Sequence, residues 1–128
     1  HVADIDPVRS GLEIFMVHEG GAYAPYGYAL RNAKTGKVIY GGYTGKDTGR
    51  GMIGDVDPEH KGLETWAVGL WTADGKKINN SAPGTNMNIK WSADMTTQIV
   101  DGSIEQTPTI QDWTKGTILT ATDLAVLK

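Results

Sequence analysis

Asp4-Ile5-Asp6-Pro7-Val8-Arg9-Ser10-Gly11-Leu12-Glu13 returns 51 residues later as Asp55-Val56-Asp57-Pro58-Glu59-His60-Lys61-Gly62-Leu63-Glu64. The two Asp, the Pro, the Gly, the Leu and the Glu match in fixed register, and an aromatic follows each Glu at the same distance, Phe15 and Trp66. A repeat of this period is a structural unit copied in tandem. The rest of the chain is therefore read as copies of one short β unit.

Residues 12–18 (Leu-Glu-Ile-Phe-Met-Val-His) are rich in β-branched and aromatic side chains and predict a strand. Phe15, Met16 and Val17 in a row suit a strand covered on both faces. After Glu19-Gly20-Gly21 comes a loop with two tyrosines, residues 22–26. Residues 27–31 and 37–40 predict a hairpin across Asn32-Ala33-Lys34-Thr35-Gly36, with Gly36 where positive φ is needed. Residues 63–68 repeat the long strand, and 70–78 repeat the hairpin with Gly75 in the role of Gly36. Residues 88–94 resemble the strand that opens a third unit, with 99–102 and 109–113 as its next strands. That unit has no Asp-x-Asp-Pro loop.

The division expected is 1–50, 51–87 and a partial third unit, 88–128. The fold class expected is all-β, in four-stranded antiparallel blades of a β-propeller. An immunoglobulin-like sandwich accommodates strands this short, but it gives no reason for the repeat.

The 128 residues match one ordinary domain by size. A formal net charge of -3 argues against a nucleic-acid surface. No apolar run is long enough for a membrane-spanning helix. Cysteine is absent, which removes disulfides, thiolate zinc sites and thiol catalysis together. Calcium ligands in place of disulfides suit a secreted protein. The start at His1 and the lack of a clear stop after residue 117 read as a piece of something longer.

Carboxylates alternating along a turn can converge on calcium, a hard ion that takes six to eight oxygens. The candidate ligands are Asp4, Asp6 and Glu13 in the first loop and Asp55, Asp57 and Glu64 in the second. Neither loop has the Gly and Glu positions of an EF-hand. A single such loop reads as a plain turn; recurrence in register favours calcium as a fastener of each blade. His18-Glu19 falls at a strand end. The stretch Thr44-Gly45-Lys46-Asp47-Thr48-Gly49-Arg50-Gly51 is no phosphate loop, because Asp47 follows Lys46 and no helix is expected after it. It reads equally as a solvated tip or as a loop for an acidic ligand, where Arg50 offers a planar fork. Tyr23, Tyr26 and Tyr43 are placed in loops, where their rings suit stacking on sugars.

The motifs Asp4-Ile-Asp-Pro, Gly11-Leu-Glu-Ile-Phe-Met-Val-His-Glu19, Tyr26-Gly-Tyr-Ala-Leu-Arg-Asn-Ala-Lys-Thr-Gly36 and Tyr43-Thr-Gly-Lys-Asp-Thr-Gly-Arg-Gly51 resemble, in this order, the rhamnogalacturonan lyases of polysaccharide lyase family 11. The resemblance covers almost the whole chain. It implies a secreted bacterial enzyme with an eight-bladed propeller and bound calcium, which cleaves the rhamnogalacturonan I backbone of pectin by β-elimination. It implies that this chain is about two and a half blades, inactive alone, with the activity residing in the longer parent. Glu19 matches a calcium-binding position near the substrate, and Arg50 an arginine proposed to act in catalysis. Tyr43, Lys46 and Asp47 flank it as substrate-binding candidates. The alternatives are a calcium-stabilised, non-catalytic carbohydrate-binding module, and a structural module whose Asp loops are only turns. Open sheet edges in a fragment also predict self-association.

Overall fold

The computed structural model describes residues 1–102 and 107–121. It contains three four-stranded antiparallel sheets, each a simple meander. The first holds β1 (Val2–Ala3), β2 (Glu13–Val17), β3 (Tyr28–Asn32) and β4 (Val38–Gly42). The second holds β5 (Met52–Gly54), β6 (Glu64–Trp66), β7 (Leu70–Trp71) and β8 (Lys77–Asn79). The third holds β9 (Met87–Ile89), β10 (Gln98–Asp101), β11 (Thr109–Asp112) and β12 (Gly116–Thr120). The all-β, four-stranded antiparallel unit expected from the repeat is what forms. Among the described residues no helix is long and apolar enough to cross a membrane.

The sheets share a register as well as a strand order. Phe15 pairs with Leu30, Trp66 with Leu70, and Val100 with Ile110. Each pair has its member on the second strand two residues after Glu13, Glu64 or Gln98. The ladder to the fourth strand is irregular at the next step in all three sheets, at Leu30/Arg31, Leu70/Trp71 and Ile110/Gln111. An irregularity kept at one register position re-aims the strand the same way in every unit. The hairpins that follow are capped alike: Asn32 Oδ1 accepts from Lys34 N and Thr35 N, and Asp112 Oδ1 from Thr114 N and Lys115 N. Gly36 and Gly75 take the positive φ expected of them, 73° and 88°.

The cores lie between sheets. Ile5, Phe15, Tyr28, Leu30 and Tyr40 of the first pack with Ala73, Trp71 and Leu63 of the second. Val56, Trp66 and Leu70 of the second pack with Ile99 and Trp113 of the third. A four-stranded sheet this small cannot bury its face alone, and full burial of one large apolar side chain is worth about 1.5–3 kcal/mol. Stacking on the neighbour supplies that burial. The Tyr40 ring lies on the Trp71 ring at 4.5 Å and 14°, and the Tyr40 hydroxyl is hydrogen-bonded to Thr65 Oγ1.

Because every sheet is a meander, its connections alternate between two ends. The loops 4–12, 55–63 and 90–97 leave one end, together with the capped hairpins. The loops 18–27, 43–51 and 80–86 belong to the other.

Two features differ from the sequence reading. The third unit is a full four-stranded sheet rather than a partial one. All residues of β12 are exposed, so its place comes from the backbone ladder to β11, which leaves no trace in the apolar pattern. The tyrosine loop contains a short 3-10 turn, Gly21–Tyr26, with no buried residue.

Candidate functional site

At the first end, Glu13 is fully buried where β2 begins. Its Oε2 accepts from the backbone N–H of Ile5 at 2.9 Å and of Asp6 at 3.1 Å. Asp6 Oδ1 accepts from Val8 N at 3.0 Å, the side-chain turn that Asp-Pro favours. Arg9 then folds back, with Nη2 3.3 Å from Asp6 Oδ2 and Nη1 3.6 Å from Glu13 Oε1. The second loop repeats this. Glu64 Oε2 accepts from Val56 N at 2.9 Å and Asp57 N at 3.0 Å, and Asp57 Oδ1 accepts from Glu59 N at 3.1 Å. His60, in the place of Arg9, brings Nε2 to 3.7 Å from Asp57 Oδ2.

The third sheet has the same clamp without a carboxylate. Gln98 Oε1 accepts from Trp91 N at 2.9 Å and Ser92 N at 3.0 Å. Its Nε2 donates to Thr96 Oγ1 at 2.8 Å and Asp112 Oδ2 at 3.1 Å. Sequence reading missed Gln98. The one signal was its place at the start of the second strand, after a polar turn; amide for carboxylate hid the equivalence.

At the other end, loop 43–51 is held against the exit of β2. Thr48 N donates to His18 O at 3.2 Å, and the hydroxyls of Thr44 and Thr48 are 2.7 Å apart. Asp47 Oδ1 accepts from Gly49 N at 2.7 Å, which folds the tip. Gly20 passes close to Asp47: a Cβ on Gly20 would stand 3.3 Å from the Asp47 Cβ. Glu19 and Asp47 are thereby brought to one place. Tyr43, Lys46 and Arg50 are exposed on the same loop. Arg50 Nη1 reaches Asn86 Oδ1 at 3.5 Å, a long contact that leaves most of its fork open. Asn86 in turn donates to Gly102 O at 3.3 Å. Tyr26 packs on the His18 ring at 5.5 Å, and Tyr23 and Tyr26 are exposed beside this loop.

The candidate residues therefore fall into two groups. Asp4, Asp6, Glu13, Asp55, Asp57 and Glu64 sit at the clamp end; Glu19, Tyr43, Lys46, Asp47 and Arg50 sit at the other. The second group is polar and exposed, and the exposed Tyr23 and Tyr26 lie at the same end. Residues 1–126 match the model of the C-terminal domain of rhamnogalacturonan lyase family 11. The chain belongs to rhamnogalacturonan lyase family 11.

Two Bacillus subtilis members of the family are close relatives. The rhamnogalacturonan endolyase YesW is 47% identical over 105 residues, covering 80% of this chain and 17% of YesW. The rhamnogalacturonan exolyase YesX is 40% identical over 127 residues, covering 88% of this chain and 21% of YesX. The crystal structure of YesX, an exotype rhamnogalacturonan lyase, superposes with a TM-score of 0.83 at 37% identity, covering 95% of this chain and 23% of that one. The chain thus spans less than a quarter of the length of these family 11 relatives.

The residues of the Asp loops decide whether they fit the calcium expected for family 11. In each loop one oxygen of the buried Glu is spent on two backbone N–H groups. In the first loop the remaining Glu13 oxygen and the free Asp6 oxygen both face Arg9. In the second, Glu64 Oε1 and Asp55 Oδ1 are buried without a partner, the feature that most favours a cation. Those two side-chain oxygens by themselves fall well short of the six to eight that calcium takes. Among the described residues no three acidic or histidine side chains converge as a metal-binding group. The loop carboxylates do not fit a calcium ion.

Proposed function

We propose that this chain is part of a rhamnogalacturonan lyase that cleaves the rhamnogalacturonan I backbone of pectin by β-elimination, and that the piece alone is inactive. Membership of family 11 along 1–126 carries the reading. The elimination removes the proton at C5 of a galacturonate, breaks the C4–O glycosidic bond and leaves a C4=C5 double bond. The C5 proton is too weakly acidic until the neighbouring carboxylate is neutralised. Arg50 has the means: a planar fork, open but for one long contact to Asn86, on the same end as Tyr43 and Glu19. Arginine stays protonated and makes a poor base, so Arg50 neutralises and orients, and another group takes the proton. Glu19 is exposed and would be one ligand of a calcium ion, which would offset the uronate charge. Tyr43 stacks on a sugar ring, while Lys46 and Asp47 hydrogen-bond its hydroxyls. A polymeric extracellular substrate also implies secretion, which fractionation of the source culture checks.

The test uses the full-length parent with calcium and rhamnogalacturonan, following the ultraviolet absorbance of the unsaturated product. Arg50→Ala is expected to lower kcat by about 10²–10³, the loss typical of one charge-stabilising donor. Arg50→Lys keeps the charge without the fork and should recover only part of it. No absorbance from the unsubstituted parent defeats the enzyme reading. A second reading, a non-catalytic carbohydrate-binding module, draws on exposed Tyr23, Tyr26 and Tyr43 at one end. Retarded migration in a gel containing the polymer, without product, would favour it.

A further inference from the structure

We infer that the recurring Asp loops are metal-free clamps, closed by backbone hydrogen bonds, whose task is to seat the next sheet. The inference is independent of the proposed activity. Its first ground is the third copy. Glu13, Glu64 and Gln98 stand at the first residue of the second strand in their sheets. Each uses one oxygen to accept from two consecutive loop N–H groups, at 2.9 to 3.1 Å. The shared element is an acceptor oxygen, which an amide supplies as well as a carboxylate; a calcium fastener would draw its affinity from carboxylate charge.

The second ground is what occupies the remaining oxygens. The Gln98 amide satisfies its other half on Thr96 and Asp112. In the first loop the Arg9 guanidinium lies between Asp6 and Glu13, so the positive charge is already provided by the chain. The two backbone donors are buried in the first loop and at least partly buried in the others, in loops with no ladder of their own, and leaving such donors unpaired costs more than the bonds contribute.

The third ground is the use of the clamped loop. Leu63, one residue before Glu64, donates its N–H to Ile5 O of the first loop at 2.9 Å. Thr97, one residue before Gln98, donates to Asp55 O of the second loop at 2.6 Å. Each clamp freezes the loop that the following sheet docks on, and the next clamp begins at the docking point. The motif is a seat repeated at each junction.

The experiment counts bound calcium per chain by atomic emission, on the full-length parent after dialysis against fixed calcium, and pairs it with thermal unfolding. Glu13→Gln, Glu64→Gln and Asp55→Asn are each expected to keep the parent's ion count. Glu64→Gln should unfold within a few degrees of the parent. Gln98→Ala should lower Tm by about 5 °C or more with the count unchanged, since two partly buried donors lose their acceptor. Loss of one ion in Glu64→Gln or Asp55→Asn overturns the inference for the second loop, and loss in Glu13→Gln for the first. Should a Glu variant fail to fold, Asp55→Asn and Gln98→Ala still decide: an unchanged Tm in Gln98→Ala removes the clamp.

Discussion

At the scale of residues, the two clamps differ in how they handle charge. Glu13 faces Arg9, whereas in the second loop His60 takes the place of Arg9 and its imidazole lies against Asp57. Burial pushes the Glu64 carboxyl up from 4.5 to about 7, with Asp55 and Asp57 adding to the rise and its two backbone donors opposing it. Between those pH values the folded chain holds a proton that the unfolded chain has released. Stability from this site is therefore full below pH 4.5 and lost as pH rises towards 7. Across that window the loss is about 3 kcal/mol. Glu64→Gln keeps the acceptor and removes the titration. Urea midpoints measured from pH 5 to 8 should fall for the unsubstituted chain and stay flatter for Glu64→Gln. Equal slopes would show that Glu64 does not titrate in this range. Glu13→Gln should behave differently: it leaves Arg9 with Asp6 alone and is expected to cost about 1 kcal/mol at every pH in that range.

At the scale of elements, the repeat works because each loop fits its predecessor closely. Gly62 has φ of 94°, and a Cβ there would stand 2.5 Å from Ile5 O, 2.8 Å from Ala73 Cβ and 3.0 Å from Pro7 Cδ. The contact with Ile5 O is a backbone clash at the sheet junction, added to the strain of positive φ. Gly62→Ala is expected to destabilise by about 3 kcal/mol or more, read from the urea midpoint. This element was largely legible in the sequence. Asp-x-Asp-Pro with Gly and Glu marked the loop, and Phe15 and Trp66 marked the buried strand, because those features are local and periodic. The chemistry was not legible, since acidic spacing alone cannot say whether a carboxylate turns towards an ion or towards its own backbone. Gln98 and β12 escaped for related reasons: one acts through an amide, and the other is held by main chain. The residues alone marked Glu19 as a strand end and Arg50 as a fork on a loop that read equally as a solvated tip; their specific roles came from resemblance. Their shared end follows from counting strand reversals, but the Arg50–Asn86 contact is long-range and has no local signal.

At the scale of the whole molecule, the three sheets stack in sequence and leave two outer faces. Val2, Met16 and Val38 in the first sheet and Met87, Ile118 and Leu119 in the third are exposed apolar side chains. If the chain is part of a longer lyase, neighbouring sheets cover these faces, and the isolated piece should self-associate. Light scattering across a dilution series is expected to show a mass that rises with concentration; a monomer throughout would count against it. Gly11 supplies a more local reading of the same question. It is the counterpart of Gly62, with φ of 96°, yet a Cβ there meets nothing within 4 Å. In the isolated chain Gly11→Ala should therefore cost only the conformational strain, about 1 kcal/mol. In the full-length parent, a preceding sheet seated as the first sheet is seated by Gly62 would bring a backbone carbonyl onto that Cβ. The cost of Gly11→Ala should then climb to that of Gly62→Ala. Unfolding midpoints of both variants, measured in both contexts, separate the cases: a Gly11→Ala cost that stays near 1 kcal/mol in the parent means that no sheet docks on the first loop in this way.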